Sequence, residues 1–164
     1  MRKQEATMDR TTRLYFAYGS NMNAGILAQR LGKDNPSDFR RRSGILLDHS
    51  IAFSKVSSSD SQIGYANIEP CKGSRVEGVI NELTDGELDM LDSIELVPVH
   101  YNRMQFGILD VKRETRVQAF AYVANPAMVL AGLKPLSTYV DTLLDASDML
   151  SDVYVQFLSS LSRA

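Results

Sequence analysis

Apolar residues in this chain fall into short runs separated by polar stretches, and most runs have the length of strands. Six segments read as strands: Leu14 to Tyr18, Ile45 to Phe53, Ile63 to Ile68, Val76 to Leu83, Arg103 to Val111 and Val117 to Val123. The last alternates with period two, as a half-buried strand should. Asp34 to Ser43 and Ser57 to Ser61 read as polar loops, and Pro70 to Ser74 as a hairpin turn. Ala24 to Leu31 reads as a short helix stopped by Gly32, and two helices close the chain near Leu136 to Ala146 and Asp152 to Leu161. Six strands with few crossover helices predict an α+β fold, a mixed or antiparallel sheet curled towards a barrel with helices outside. Periodicity alone leaves barrel and open sheet both open. Residues 1–13 carry four basic residues but no apolar core segment, and read as a frayed leader rather than a secretory signal. Residues 14–164 read as a single domain.

The most informative helix is expected just after the fourth strand. Thr84-Asp85-Gly86-Glu87 has the form of a capping box, with Leu83 and Leu88 placed as a hydrophobic staple. Pro98 bounds its far end. With Leu88 at zero on a helical projection, Leu91 falls near about 300°, Ile94 near about 240° and Glu95 near about 340°. Glu95 is thus a carboxylate on the apolar stripe of its own helix, a local contradiction of the kind that marks functional sites. The bland alternatives are a last-turn side chain swung to solvent, an ion pair with Arg103, or a backbone cap.

Composition narrows the function. At 164 residues the chain is long enough for a real core, and 44% of it is hydrophobic. A net charge of −2 argues against a bulk nucleic-acid binder. Cys71 is the single cysteine, so no internal disulfide framework is expected. No apolar run approaches the roughly 20 residues of a membrane helix. The reading is therefore of a cytoplasmic protein with neither nucleic acid nor membrane as partner.

Several segments, in order, resemble one family. Tyr15-Phe16-Ala17-Tyr18-Gly19-Ser20-Asn21-Met22 is similar to the YGSN signature of the γ-glutamyl cyclotransferase-like family, and Leu91-Asp92-Ser93-Ile94-Glu95 sits where that family has LDxxE. Gly64 to Ile68, Val76 to Ile80 and Pro135 to Tyr139 resemble its later strand and helix segments. The resemblance covers about residues 14 to 155. It implies a small mixed β-barrel flanked by helices, no metal or organic cofactor, and a small-molecule γ-glutamyl substrate; a homodimer is left open. It implies Glu95 as the acid–base catalyst, with Tyr15, Tyr18, Gly19, Ser20, Asn21, Met22, Tyr101 and Tyr139 in substrate binding.

The chemistry suits these residue types. A γ-glutamyl amide carries its own nucleophile, the α-amino group, which can close on the side-chain carbonyl to give 5-oxoproline and release an amine or amino acid. The protein must hold the folded conformer and move protons. A carboxyl can do the second if burial raises its pKa towards neutrality, and flanking Leu88 and Leu91 would supply that burial. A glycine-bearing turn between strand and helix can offer free backbone N–H groups to the oxyanion. Its bland reading is an ordinary turn whose Ser20 and Asn21 cap the next helix.

Two departures from the family pattern stand out. The usual Glu-Gly pair is Glu95-Leu96 here, and Tyr101 follows Glu95 by six residues where the family commonly has seven. Both bear on the pocket rim and hence on the substrate. The alternatives are an enzyme for a γ-glutamylamine or another γ-glutamyl metabolite, and a non-catalytic module of the same fold that binds a small molecule or partner. His49, His100 and Cys71 read as structural or solvated, and Arg40-Arg41-Arg42 as a solvated charge run. Ser20 lacks a nucleophile-elbow motif.

Overall fold

The computed structural model describes residues 11–164. Its centre is a closed barrel of five strands among the described residues: β1 (Thr12–Ala17), β2 (Arg41–Val56), β3 (Gly64–Thr84), β4 (Tyr101–Asp110) and β5 (Thr115–Ala124). They run in the order β1-β3-β2-β4-β5, and β5 closes on β1 through one parallel pair, Tyr15 with Phe120. The other neighbours are antiparallel. The helices are α1 (Ala24–Arg30), α2 (Asp85–Ile94), α3 (Ser137–Leu144) and α4 (Asp152–Ser159).

The expected six strands become five because Ile63 to Ile68 and Val76 to Leu83 belong to one 21-residue strand, β3. Pro70 to Ser74 is not a hairpin turn: both halves of β3 pair with β2 in the same direction. Cys71 to Ser74 stand opposite the single residue Asp48, whose Oδ1 accepts a hydrogen bond from Gly73 N–H at 2.9 Å. Gly73 has a φ of +83°, which explains the glycine, but the chain is kinked there and not reversed. β1 starts at Thr12, before the expected Leu14, because Thr12 and Arg13 pair with Thr84 and Leu83. Residues 1–10 of the expected leader lie outside the described residues.

Alternation along the strands divides the core in two. On β1, Tyr15 and Ala17 join a cluster with Leu27, Leu88, Leu91, Leu143 and Leu158, all contributed by helices. Phe16 and Tyr18 point the other way, into a cluster with Leu46, Val76, Ile80 and Ile108 that fills the barrel. The run Arg40 to Arg42 is not the solvated one expected. Arg42 lies in β2 and donates from Nε to the fully buried Asp110 at 2.6 Å, across the short β2–β4 seam. Arg41 donates to the carbonyl of Met22, and only Arg40 is strongly exposed.

Candidate active site

At one end of the barrel the strands and helices enclose a cavity of about 490 Å³, a size suited to a small molecule. Its shape follows from three local features.

The first is the end of α2. The capping box at Thr84 and Glu87 forms as the sequence predicts, and Leu88 and Leu91 anchor the helix in the core. Glu95 is the C-cap, so its side chain leaves the helix just where the backbone turns. The turn is a Schellman motif: Val97 N–H donates to the Asp92 carbonyl at 3.0 Å and Leu96 N–H to the Ser93 carbonyl at 3.3 Å. Leu96 occupies its left-handed position, with a φ of +51°. This is the place where the family resemblance calls for glycine, and here a leucine holds it at the cavity mouth.

The second feature is the turn after β1. A single 3-10 turn, Ser20–Met22, follows Gly19, and the backbone N–H groups of Ser20 and Asn21 donate to no described residue. The turn is fixed by side chains. Asn21 Nδ2 donates to Tyr15 Oη at 3.0 Å, and Arg30 Nη1 donates to Ser20 Oγ at 3.0 Å and to Asn21 Oδ1 at 2.6 Å. Space at Gly19 is tight: a Cβ there would stand 3.0 Å from Tyr139 Oη and 3.5 Å from Ala66 Cβ.

The third feature is a bulge in β2. Ala52 pairs with Asn67 and Lys55 with Tyr65, so Phe53 and Ser54 together face Ala66. Ala66 uses its backbone on two tyrosines instead. Its N–H donates to Tyr139 Oη at 3.2 Å, and its carbonyl accepts from Tyr101 Oη at 3.0 Å. The same bulge sets Lys55 into the cavity wall, where only 5% of the residue is exposed. Its ammonium lies 5.8 Å from the Tyr65 ring centre and 5.7 Å from that of Tyr101.

The structure brings Glu95, Tyr15, Tyr18, Gly19, Ser20, Asn21, Tyr101 and Tyr139 together around this cavity. Met22 is the exception. It is fully buried in the helix-side core and does not line the cavity, because the 3-10 turn rotates it inward. Tyr101 reaches the cavity despite its shortened spacing from Glu95. Arg30, Lys55, Tyr65 and Tyr122 also line it and were not singled out from sequence. His100 lines the cavity, whereas His49 packs edge-on against Phe106 and Cys71 is an exposed free thiol.

Electrostatically, burial pushes the Glu95 carboxyl above the usual carboxylate range, and Arg30 and Lys55 pull against that shift. Glu95 shares the cavity with tyrosines and with Arg30 and Lys55, whereas Leu88 and Leu91 face the core. The Glu95 carboxylate accepts no hydrogen bond from a described residue and is free to meet a ligand. Burial also holds the Tyr15, Tyr18, Tyr101 and Tyr139 phenols well above their ordinary range, so they are neutral donors. Tyr139 accepts from Ala66, which leaves its own proton for a ligand. The Lys55 ammonium is pushed downward by burial, with Glu95 opposing. Among the described residues there is no cluster of histidine, cysteine and carboxylate side chains fit to hold a metal ion, and no helix long and apolar enough to cross a membrane.

The family model described as "Gamma-glutamyl cyclotransferase, AIG2-like" matches residues 15–139, which include the turn, Glu95, Tyr101 and Tyr139. No curated protein matches the chain by sequence. Among solved structures, one described as "Gamma-glutamyl cyclotransferase" is similar, with a TM-score of 0.79 at 20% identity, covering 94% of this chain and 90% of that one. An uncharacterized protein from Homo sapiens is similar at a TM-score of 0.80 and 22% identity, covering 93% and 89%. A yeast γ-glutamyl cyclotransferase specific to glutathione is more distant, at 0.60 and 12%, covering 90% and 94%. At these identities the solved structures share the fold.

Proposed function

The chain belongs to the gamma-glutamyl cyclotransferase, AIG2-like family, and from that premise we propose that it is a γ-glutamyl cyclotransferase-type enzyme using Glu95 as its acid–base group. The observation that carries this reading is Glu95 itself. It is a carboxylate of raised pKa and without a hydrogen-bond partner, set in a tyrosine-walled cavity that also holds a turn with free N–H groups.

In the proposed reaction the γ-glutamyl group lies against the turn of Gly19 to Asn21. Glu95 takes a proton from the substrate α-ammonium, and the freed nitrogen attacks the γ-carbonyl carbon. A new carbon–nitrogen bond closes the five-membered ring, and the carbonyl oxygen gathers negative charge. The N–H groups of Ser20 and Asn21 are placed to stabilise that oxyanion. Glu95 then delivers its proton to the departing nitrogen as the old carbon–nitrogen bond breaks. In all, two protons leave the α-nitrogen and two reach the leaving amine, so no water is consumed. The neutral phenols of Tyr15 and Tyr139 donate hydrogen bonds that orient the group. The reading includes a reducing, cytoplasmic setting, which the exposed free thiol of Cys71 suits.

The test is direct. Purified protein is incubated with a panel of γ-glutamyl compounds in oxygen-18 water, and the products are weighed by mass spectrometry. The expected product is 5-oxoproline without solvent oxygen. Labelled glutamate as the primary product would mean hydrolysis and would overturn the reaction proposed here. Activity is expected to survive chelation; loss on chelation with rescue by zinc would overturn it equally.

A further inference from the structure

The cavity carries an imbalance of charge that the proposed chemistry does not use. Two cations, Arg30 and Lys55, and one carboxylate, Glu95, face it. Neither Arg30 nor Lys55 forms an ion pair with any described residue. Arg30 is held by neutral oxygens of Ser20 and Asn21, beside the turn. Lys55 is the sharper case. An ammonium on a residue only 5% exposed, resting on two phenol faces, has no carboxylate in contact to offset its lost hydration; the one opposite charge it feels, Glu95, is shared with Arg30. Moreover, a bulge in β2 is spent on putting it there.

A γ-glutamyl group brings one ammonium and one carboxylate. Bound with ionised Glu95, Arg30 and Lys55, it leaves the site with one positive charge in excess. A second carboxylate, on the far side of the scissile amide, removes that excess. Resting on the reading that this is a γ-glutamyl cyclotransferase-type site, we infer that Lys55 recognises a carboxylate on the leaving group. The substrates are then γ-glutamyl amino acids or peptides in preference to γ-glutamylamines. Arg30, on the turn side, is left to meet the α-carboxylate of the γ-glutamyl group. Lys55, on the Tyr65 and Tyr101 side, meets the carboxylate of the departing amino acid. Only the departing half of the substrate differs between the two classes, so the discrimination lies with Lys55. Its contact with an unreacting carboxylate is equal in ground and transition states and acts through KM rather than kcat.

The experiment uses a matched pair, γ-glutamylalanine and γ-glutamylethylamide, which differ only by the carboxylate of the leaving group. Wild-type protein is expected to favour γ-glutamylalanine in kcat/KM by about 10-fold or more, the scale of one charged hydrogen bond. Lys55→Met is expected to collapse that ratio through KM, and Lys55→Arg to retain most of it. Calorimetric binding of both compounds to Glu95→Gln protein reads the same preference without turnover. It therefore stays informative if the cyclisation reading fails, while absence of 5-oxoproline with preference intact counts against that reading alone. Equal affinity and turnover of the two compounds in the wild type overturns the inference. So does a Lys55→Met protein that loses both in the same proportion, since Lys55 would then serve the shared γ-glutamyl half.

Discussion

Glu95 is held in an environment that works against its charge, and this ties its proposed acid–base role to stability. Glu95→Gln keeps the shape and removes the group proposed to transfer the proton. Turnover in the 5-oxoproline assay is expected to fall by at least ~100-fold, with binding retained. The carboxyl pKa is raised in the folded protein by burial, so its folded form binds the proton more tightly than its unfolded form. The stability it contributes is full below the ordinary carboxylate pKa and is lost as pH rises through the raised value. Glu95→Gln should therefore raise the melting temperature more at pH 7 than at pH 4, and an equal shift at both pH values would contradict the burial account. The acidic limb of the kcat/KM profile should lie above an ordinary carboxylate's pKa and vanish in the variant. At the neighbouring position, Leu96 sits in left-handed backbone at a φ of +51°. Leu96→Gly should stabilise the fold by about 1 kcal/mol in urea unfolding, because a side chain there strains the backbone. Glu95 was legible in sequence because its contradiction is local: a charge on an apolar stripe beside an intact capping box. Arg30 was not, since a basic residue in a last helical turn has an ordinary role, and only the folded turn brings Ser20 and Asn21 to it.

Between elements, the turn of β1 and the first residues of α3 meet through Gly19 and Tyr139. Gly19→Ala places a methyl 3.0 Å from Tyr139 Oη and is expected to break that hydroxyl from Ala66. The protein should remain folded with turnover strongly reduced. Removing the hydroxyl relieves the clash, so Gly19→Ala combined with Tyr139→Phe should recover melting temperature beyond the sum of the single changes. Strict additivity would mean the two residues do not press on each other. The elements themselves were read unevenly. α2 was readable because a cap and staple fit within the six residues Leu83 to Leu88, and β1 because the YGSN turn follows it. β3 was split in two because Pro70 and Gly73 carry turn chemistry whether the chain reverses or merely kinks. The bulge at Phe53 and Ser54 left no mark, since a doubled position looks like any other strand residue until its partner Ala66 is known.

For the molecule as a whole, closure of the barrel depends on two thin seams. β2 meets β4 at two paired positions, Gly44 with Asp110 and Ile45 with Leu109. The buried Arg42–Asp110 pair crosses that seam at 2.6 Å. Burial alone would raise the Asp110 carboxyl, but hydrogen bonds from Arg42 and Arg113 outweigh it and hold the pKa below the ordinary range. Its stabilisation is present above the unfolded carboxylate pKa and is lost as pH falls through the depressed one. Asp110→Ala, which leaves the Arg42 guanidinium to Glu82 alone at 3.2 Å, should cost about 2 kcal/mol in chemical unfolding at pH 7 and much less in strong acid. A loss that does not vary with pH would point to packing instead. The other seam is thinner still, one parallel pair between Tyr15 and Phe120, with the Tyr15 and Tyr122 rings edge to face across it at 5.7 Å. Both tyrosines line the cavity. The seam with the fewest paired positions therefore borders the cavity, and a ligand bound there would bridge β1 to β5 where backbone pairing is sparse. Amide hydrogens flanking Tyr15 and Phe120 should exchange fastest among the barrel strands. Saturation with 5-oxoproline should slow them in particular, so that occupancy acts as a clasp on the barrel.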